Sequence, residues 1–133
     1  MVTAERVPWM TALAVFCLGS VVFLITRDLF LDHVRDVEVW FGFEVRGAAA
    51  RWSAPLHWAI FLAGAYGFWF QRAWILPAAA GYSFYVAFCH LIWNLVSARG
   101  WGGVAAVGQT ILFSIPGVLF TYAQRRRTAE DRP

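Results

Sequence analysis

Long apolar stretches dominate this chain, and arginines bracket them. Four segments contain no charged residue, namely residues 7–26, 52–71, 73–98 and 100–124. Each is long enough to cross a hydrocarbon core about 30 Å thick as a helix that rises about 1.5 Å per residue. The pattern predicts an all-α fold, an integral membrane four-helix bundle, with transmembrane helices at about 7–26, 53–71, 74–97 and 104–123.

The outer connection between the first two helices, residues 27–52, is the longest polar stretch. Apolar and polar residues alternate from Val37 to Arg46, which is typical of a strand. A lone strand at a membrane surface would lack a partner, however, and open edges are not tolerated in lipid. At helical spacing Val37, Phe41 and Ala48 share one face with Trp40. We therefore favour an amphipathic helix that lies on the outer leaflet over a strand.

Composition excludes a soluble domain and a nucleic-acid-binding protein. Hydrophobic residues make up 60% of the 133 and charged residues only 14%, against roughly 45–50% and about 25% in soluble proteins. The net charge of +3 comes from scattered arginines and from a triplet, Arg125 to Arg127, in the basic tail 124–133. Such a triplet after an apolar segment is typical of a cytoplasmic stop signal. We expect an integral protein of a bacterial inner membrane, with both termini cytoplasmic and no nucleic-acid partner.

Polar side chains inside the predicted helices are the candidate functional residues, because burying them in lipid is costly. His90 and Asn94 share one face of the third helix. By helical rise, His90, Gln109 and His57 lie roughly 6–10 Å below the outer ends of three helices. The outer connection above them carries acids that include Asp32 and Glu44.

These residues predict an intramembrane pocket near the outer leaflet. A histidine titrates near neutrality, and a carboxylate such as Glu44 or Asp28 can tune it for acid–base chemistry. The candidate catalytic residues are therefore His90, His57 and Glu44. Aromatic residues supply the apolar wall. The candidate ligand-binding residues are Asp28, Asn94, Gln109, Trp58, Trp93 and Tyr85.

Two other interpretations of the same polar residues remain open. His90, Asn94 and Gln109 can be interhelical hydrogen-bonding groups with a purely structural role. His57 and His90 can instead ligate a haem or a pigment, if their rings face one metal. No other cofactor is predicted, and the chain lacks the histidine spacings of metal hydrolases.

One set of residues lies around the first connection and in the following hairpin, namely Asp28-Leu29, Tyr66-x-Phe68, Trp74-Ile75, Pro77 and Tyr82-Ser83. In these residues the chain resembles the EXPERA group, the four-helix membrane proteins related to the sigma-2 receptor and emopamil-binding sterol isomerase. The resemblance implies two cytoplasmic termini, a long lumenal first connection and a pocket for sterol-like or amphiphilic amine ligands. Only Asp28 matches an acidic ligand-contacting position of that group. The acid expected in helix two has no counterpart, since Ser53 lies near its place.

The sequence thus predicts a small polytopic membrane protein whose outer-leaflet pocket binds a lipid, a sterol or an isoprenoid-like molecule. The pocket could also catalyse an acid–base isomerisation of that molecule, so the sequence leaves open whether the protein is an enzyme. The alternative is an accessory subunit of a larger membrane complex, respiratory or photosynthetic. Homo-oligomerisation is open under either interpretation.

Overall fold

Four helices and one two-stranded hairpin form the described part of the chain. The computed structural model describes residues 7–31 and 36–130 of the 133. The elements are α1 (Pro8–Phe30), β1 (Val37–Trp40), β2 (Phe43–Arg46), α2 (Ala48–Trp69), α3 (Ile75–Val96) and α4 (Gly102–Glu130). The prediction of an all-α chain is confirmed, with the short hairpin as an addition. Asp32, predicted to lie above the polar residues, falls outside the described residues.

Local sequence explains where the helices begin. Pro8 is at the first position of α1, where its fixed φ suits a helix and its missing N–H is not needed. Gly47 precedes α2 with φ 63°, a conformation that glycine adopts without strain. The second helix was predicted to begin at about residue 53, but α2 begins at Ala48. Ser53 lies inside the helix, where its hydroxyl donates to the Ala50 carbonyl.

The chain divides into two compact units. The first comprises Met1–Val37 and Arg46–Ile75, and the second comprises Glu38–Val45 and Leu76–Pro133. In the first unit α1 packs along α2, with the Cys17 sulfur 3.2 Å from where a Cβ on Gly64 would lie. In the second unit, Thr110 of α4 donates to the Ala87 carbonyl of α3. Small residues thus allow close approach of helices within each unit.

The amphipathic helix predicted within residues 37–48 is wrong, because residues 37–46 form the β1–β2 hairpin and Ala48 already belongs to α2. The alternation from Val37 to Arg46 was a true strand signal, and each half of the run is the partner of the other. Phe41 and Gly42 connect the strands with φ 52° and φ 83°. Two consecutive positive φ angles are what a type I′ two-residue hairpin turn requires.

Three helices are long and apolar enough to cross a membrane in the part of the chain that the structure describes. They are α1, α3 and the Gly102–Ala129 portion of α4. Large apolar side chains lie exposed along all three, as expected for surfaces that face lipid. The 22 residues of α2 give it sufficient length, but Pro55, His57 and several tryptophans lower its mean hydropathy.

Candidate functional site

Asp28, in the last turn of α1, is a buried carboxylate with two side-chain partners. Its exposed fraction is 8%. The indole Nε1 of Trp58 on α2 donates to Oδ2 at 2.7 Å, and the Arg27 Nε donates to Oδ1 at 2.5 Å. The structure therefore brings together two predicted ligand-binding residues that lie 30 positions apart.

The position of Asp28 is energetically unfavourable without these partners. The C-terminal end of a helix carries partial negative charge, which disfavours a carboxylate in the last turn. Burial adds a desolvation cost, which the donated hydrogen bonds of Arg27 and Trp58 offset. A buried carboxylate with specific partners beside a cavity makes Asp28 a candidate binding residue.

A cavity of about 280 Å³ lies beside this carboxylate in the first unit. It is lined by Asp28, Leu29, Asp36, Arg51, Ala54 and Trp58. Two carboxylates, one guanidinium and one indole thus surround it, with Leu29 and Ala54 as apolar surface. Asp36, Arg51 and Leu29 were not predicted as site residues. Nothing in the local sequence relates Asp36 or Arg51 to Asp28, and Leu29, which follows Asp28 in the chain, carries no polar group.

Asp36 and Arg51 form a two-pronged ion pair at this cavity. The Arg51 Nε lies 2.6 Å from Asp36 Oδ1, and a terminal nitrogen lies 2.7 Å from Oδ2. The hydrogen bond, and then the attraction of the opposite charge, raise the pKa of the Arg51 guanidinium above its ordinary value. The pair is solvent-accessible, so it fixes geometry more than it contributes stability. It connects the chain before β1 to the first turn of α2.

A second polar cluster lies between α3 and α4 in the second unit. The Asn94 Nδ2 donates to the His90 carbonyl and to the Gln109 Oε1, each at 2.8 Å. The Trp101 backbone N–H donates to the Asn94 Oδ1 at 3.2 Å. The His90 Nδ1 lies 2.8 Å from the same Gln109 oxygen. Predicted residues His90, Asn94 and Gln109 thus bond to one another, as interhelical hydrogen-bonding groups do.

Glu44 does not pair with the His90 imidazole among the described residues, since the ring partner of His90 is Gln109. The Glu44 Oε1 instead accepts from Trp93 Nε1 at 3.2 Å and Ser97 Oγ at 3.0 Å. A terminal guanidinium nitrogen of Arg99 lies 2.8 Å from the same Glu44 oxygen. Glu44 and Trp93 therefore attach strand β2 to the C-terminal end of α3.

Tyr85, predicted as part of a ligand-binding wall, contacts the hairpin turn. Its hydroxyl accepts a hydrogen bond from the Phe41 N–H at 3.2 Å. The two rings meet edge to face with their centroids 5.4 Å apart. The side chain therefore supports the end of the hairpin along α3.

His57 lies half-buried on α2, in the first unit, and its pairing with His90 stays a prediction. No group of three or more histidine, cysteine, aspartate and glutamate side chains that could hold a metal ion occurs in the described ranges 7–31 and 36–130. No protein-family model, curated protein or solved structure matches this chain. Functional inference therefore depends on the geometry of its own residues.

Proposed function

We propose that this chain is an integral membrane protein that binds an amphiphilic small molecule in the cavity of the first unit. The observation that carries the proposal is the buried Asp28 carboxylate on the cavity wall. Trp58 and Arg27 fix its orientation through hydrogen bonds. Each carboxylate oxygen has further lone pairs, so Asp28 can still accept a hydrogen bond from a ligand.

The charges of the wall favour a ligand head group that donates hydrogen bonds. Asp28 and Asp36 offer acceptors, while Arg51 and Arg27 are occupied by these same carboxylates. A hydroxyl or a protonated amine satisfies such a wall, whereas a carboxylate or phosphate head would be repelled by it.

The size of the cavity indicates which part of the ligand it takes. Pockets that enclose whole drug-sized ligands are roughly 300–1,000 Å³, and this one is about 280 Å³. It therefore accommodates a head group and one adjoining ring or short chain. Leu29, on the wall, is exposed and continues into apolar surface for the rest of a lipid, sterol or isoprenoid-like molecule.

The cavity binds the amphiphile and does not isomerise it in this proposal. The described residues that line the cavity contain no histidine, whereas the acid–base chemistry suggested by the sequence needed His57 or His90. Arg27 and Trp58 donate hydrogen bonds to the Asp28 carboxylate and hold it in place. A fixed carboxylate with remaining lone pairs suits recognition of a polar head group.

Mass spectrometry of lipids that co-purify in mild detergent tests this proposal. We expect one class of hydroxyl- or amine-bearing amphiphile to be enriched on the wild-type protein. Asp28→Asn should lower its affinity about tenfold or more, since hydrogen bonds to charged groups contribute about 1.5–3 kcal/mol. Trp58→Phe should act in the same direction, because it releases the carboxylate from its fixed orientation.

Trp52→Phe is the matched control, since Trp52 is on the same helix and is 86% exposed. It should retain the ligand at the wild-type level. An absence of any enriched molecule, or equal retention by Asp28→Asn and wild type, would refute the proposal.

A further inference from the structure

His90 is held in one tautomer by a series of hydrogen bonds that starts at the backbone. The Asn94 amide bridges the His90 carbonyl and the Trp101 N–H. A carbonyl only accepts and an N–H only donates, so these two groups fix which end of the Asn94 amide is nitrogen. The nitrogen then faces Gln109, whose oxygen must accept.

The same oxygen of Gln109 contacts the His90 Nδ1 at 2.8 Å. An oxygen acceptor requires that Nδ1 carry the proton. In a neutral imidazole the lone pair is then on Nε2, so the cluster decides which ring nitrogen is a Lewis base.

The ring of His90 is also fixed in orientation, while its Nε2 is left available. Phe113 of α4 stacks on the imidazole with centroids 4.1 Å apart and planes 11° apart. Among residues 7–31 and 36–130, none donates a hydrogen bond to Nε2. The side chain is half-buried rather than sealed in the core.

We infer that His90 Nε2 is an axial ligand for the metal of a planar tetrapyrrole. Metal-binding histidines typically donate their other ring N–H to an oxygen that orients them, as Nδ1 does here toward Gln109. His90 lies about 9 Å below the end of α3 by helical rise, so its ligand must be largely apolar. A metal in an apolar ring accepts the Nε2 lone pair without the desolvation that a hydroxyl or amine donor would suffer.

Binding forms one coordinate bond from Nε2 to the metal and displaces the solvent molecule bound there. No electron transfer is involved, and a neutral imidazole with its proton on Nδ1 releases no proton when Nε2 binds the metal. The site belongs to the second unit and shares no residue with the cavity around Asp28, so either proposal can fail alone.

Titration of the detergent-purified protein with zinc protoporphyrin IX tests the inference, because zinc in a porphyrin takes a single axial ligand. We expect a red-shifted Soret band that saturates at one porphyrin per chain. His90→Ala should abolish the shift. His57→Ala is the matched control and should retain it, as should Asp28→Asn.

Gln109→Leu provides a second variant that keeps the ligating residue. It removes the oxygen that orients Nδ1, and the affinity should fall about 10- to 100-fold, as for other groups that orient metal ligands. Nitrogen-15 NMR of the metal-free protein should find Nδ1 protonated and Nε2 unprotonated. No Soret shift with wild type, an unchanged shift in His90→Ala, or a protonated Nε2 would each overturn the inference.

Discussion

Asn94 determines the orientation of the hydrogen bonds between α3 and α4. One end of its side-chain amide faces a carbonyl, which can only accept, and the other faces a backbone N–H, which can only donate. It is 2% exposed, so each bond is made away from water. Its nitrogen faces the His90 carbonyl and the Gln109 oxygen, and its oxygen faces the Trp101 N–H. One side chain thus connects α3, α4 and the turn between them.

Replacing Asn94 should measurably destabilise the protein. Asn94→Ala removes three hydrogen bonds and leaves the Trp101 N–H and the Gln109 oxygen with fewer partners. We expect a loss of about 1–3 kcal/mol in the free energy of unfolding, measured by SDS titration in mixed micelles. Ser83→Ala is the control, because the Ser83 hydroxyl donates only to the Ala79 carbonyl of its own helix. Equal stability of the two variants would contradict a role for Asn94 in connecting the helices.

The β1–β2 hairpin lies along α3 and contacts it at several levels. Glu44 bonds to Ser97 near the end of the helix, and Phe41 bonds to Tyr85 three turns earlier. Tyr85 and Ser97 are 12 positions apart, which corresponds to about 18 Å at helical rise. Gly42 is buried and the Phe41 N–H is bonded to Tyr85, so α3 covers the backbone of the hairpin turn.

Gly42 is required both by its backbone conformation and by its contact with α3. Its φ is 83°, and a Cβ there would lie 2.4 Å from the Ile92 Cβ and 2.8 Å from the Cys89 oxygen. Gly47 also has a positive φ, 63°, but a Cβ there would meet nothing within 4 Å. A side chain would therefore meet backbone strain alone at Gly47, and both backbone strain and a steric clash at Gly42.

Gly47→Ala should cost about 1–3 kcal/mol, because φ 63° with ψ −136° is a backbone conformation that residues with a side chain rarely adopt. Gly42→Ala should cost about 1–3 kcal/mol more, because overpacking adds to the strain. Thermal unfolding in detergent, followed by circular dichroism, compares them. If both variants lose the same stability, the close contact between Gly42 and α3 contributes nothing.

The number of crossings determines which side of the membrane each terminus occupies. Among the described helices, α1, α3 and α4 have the length and apolarity to cross. We expect α2 to cross as well, since its 22 residues span about 33 Å. No charged residue occurs from 52 to 71, and α2 packs along α1. Four crossings place both termini on the same side, whereas three would place them on opposite sides.

Reporter fusions at each terminus test this topology. A cytoplasm-active fluorescent protein and a periplasm-active phosphatase should both report a cytoplasmic N-terminus and C-terminus. The physical reason for the C-terminus is the arginine triplet, which α4 carries beyond its apolar part in one continuous helix. Opposite results at the two ends would show that α2 does not cross. The segment 124–130, predicted as a tail, is helical in the structure, and residues 131–133 lie outside the described part.

Individual side chains in the candidate sites were partly predictable. His90, Asn94 and Gln109 could be grouped because helical rise converts sequence position into depth. Their mutual hydrogen bonding was one of the interpretations that the sequence left open, and only the rotation of α3 and α4 against each other decides between them. Asp28 and Trp58 were each singled out, yet their 2.7 Å contact joins separate helices. Asp36 and Arg51 carried no local signal at all.

The sequence alone determined the four helices and their apolar character, because charge-free length and residue composition act locally and add along the chain. Tertiary structure decided the form of residues 37–46, since a strand is stable only with a partner and a surface to lie against. It also placed Glu44 at the end of α3 rather than on His90, and Asp28 beside a cavity. These features depend on contacts between residues that are far apart in the sequence, so no local pattern predicts them.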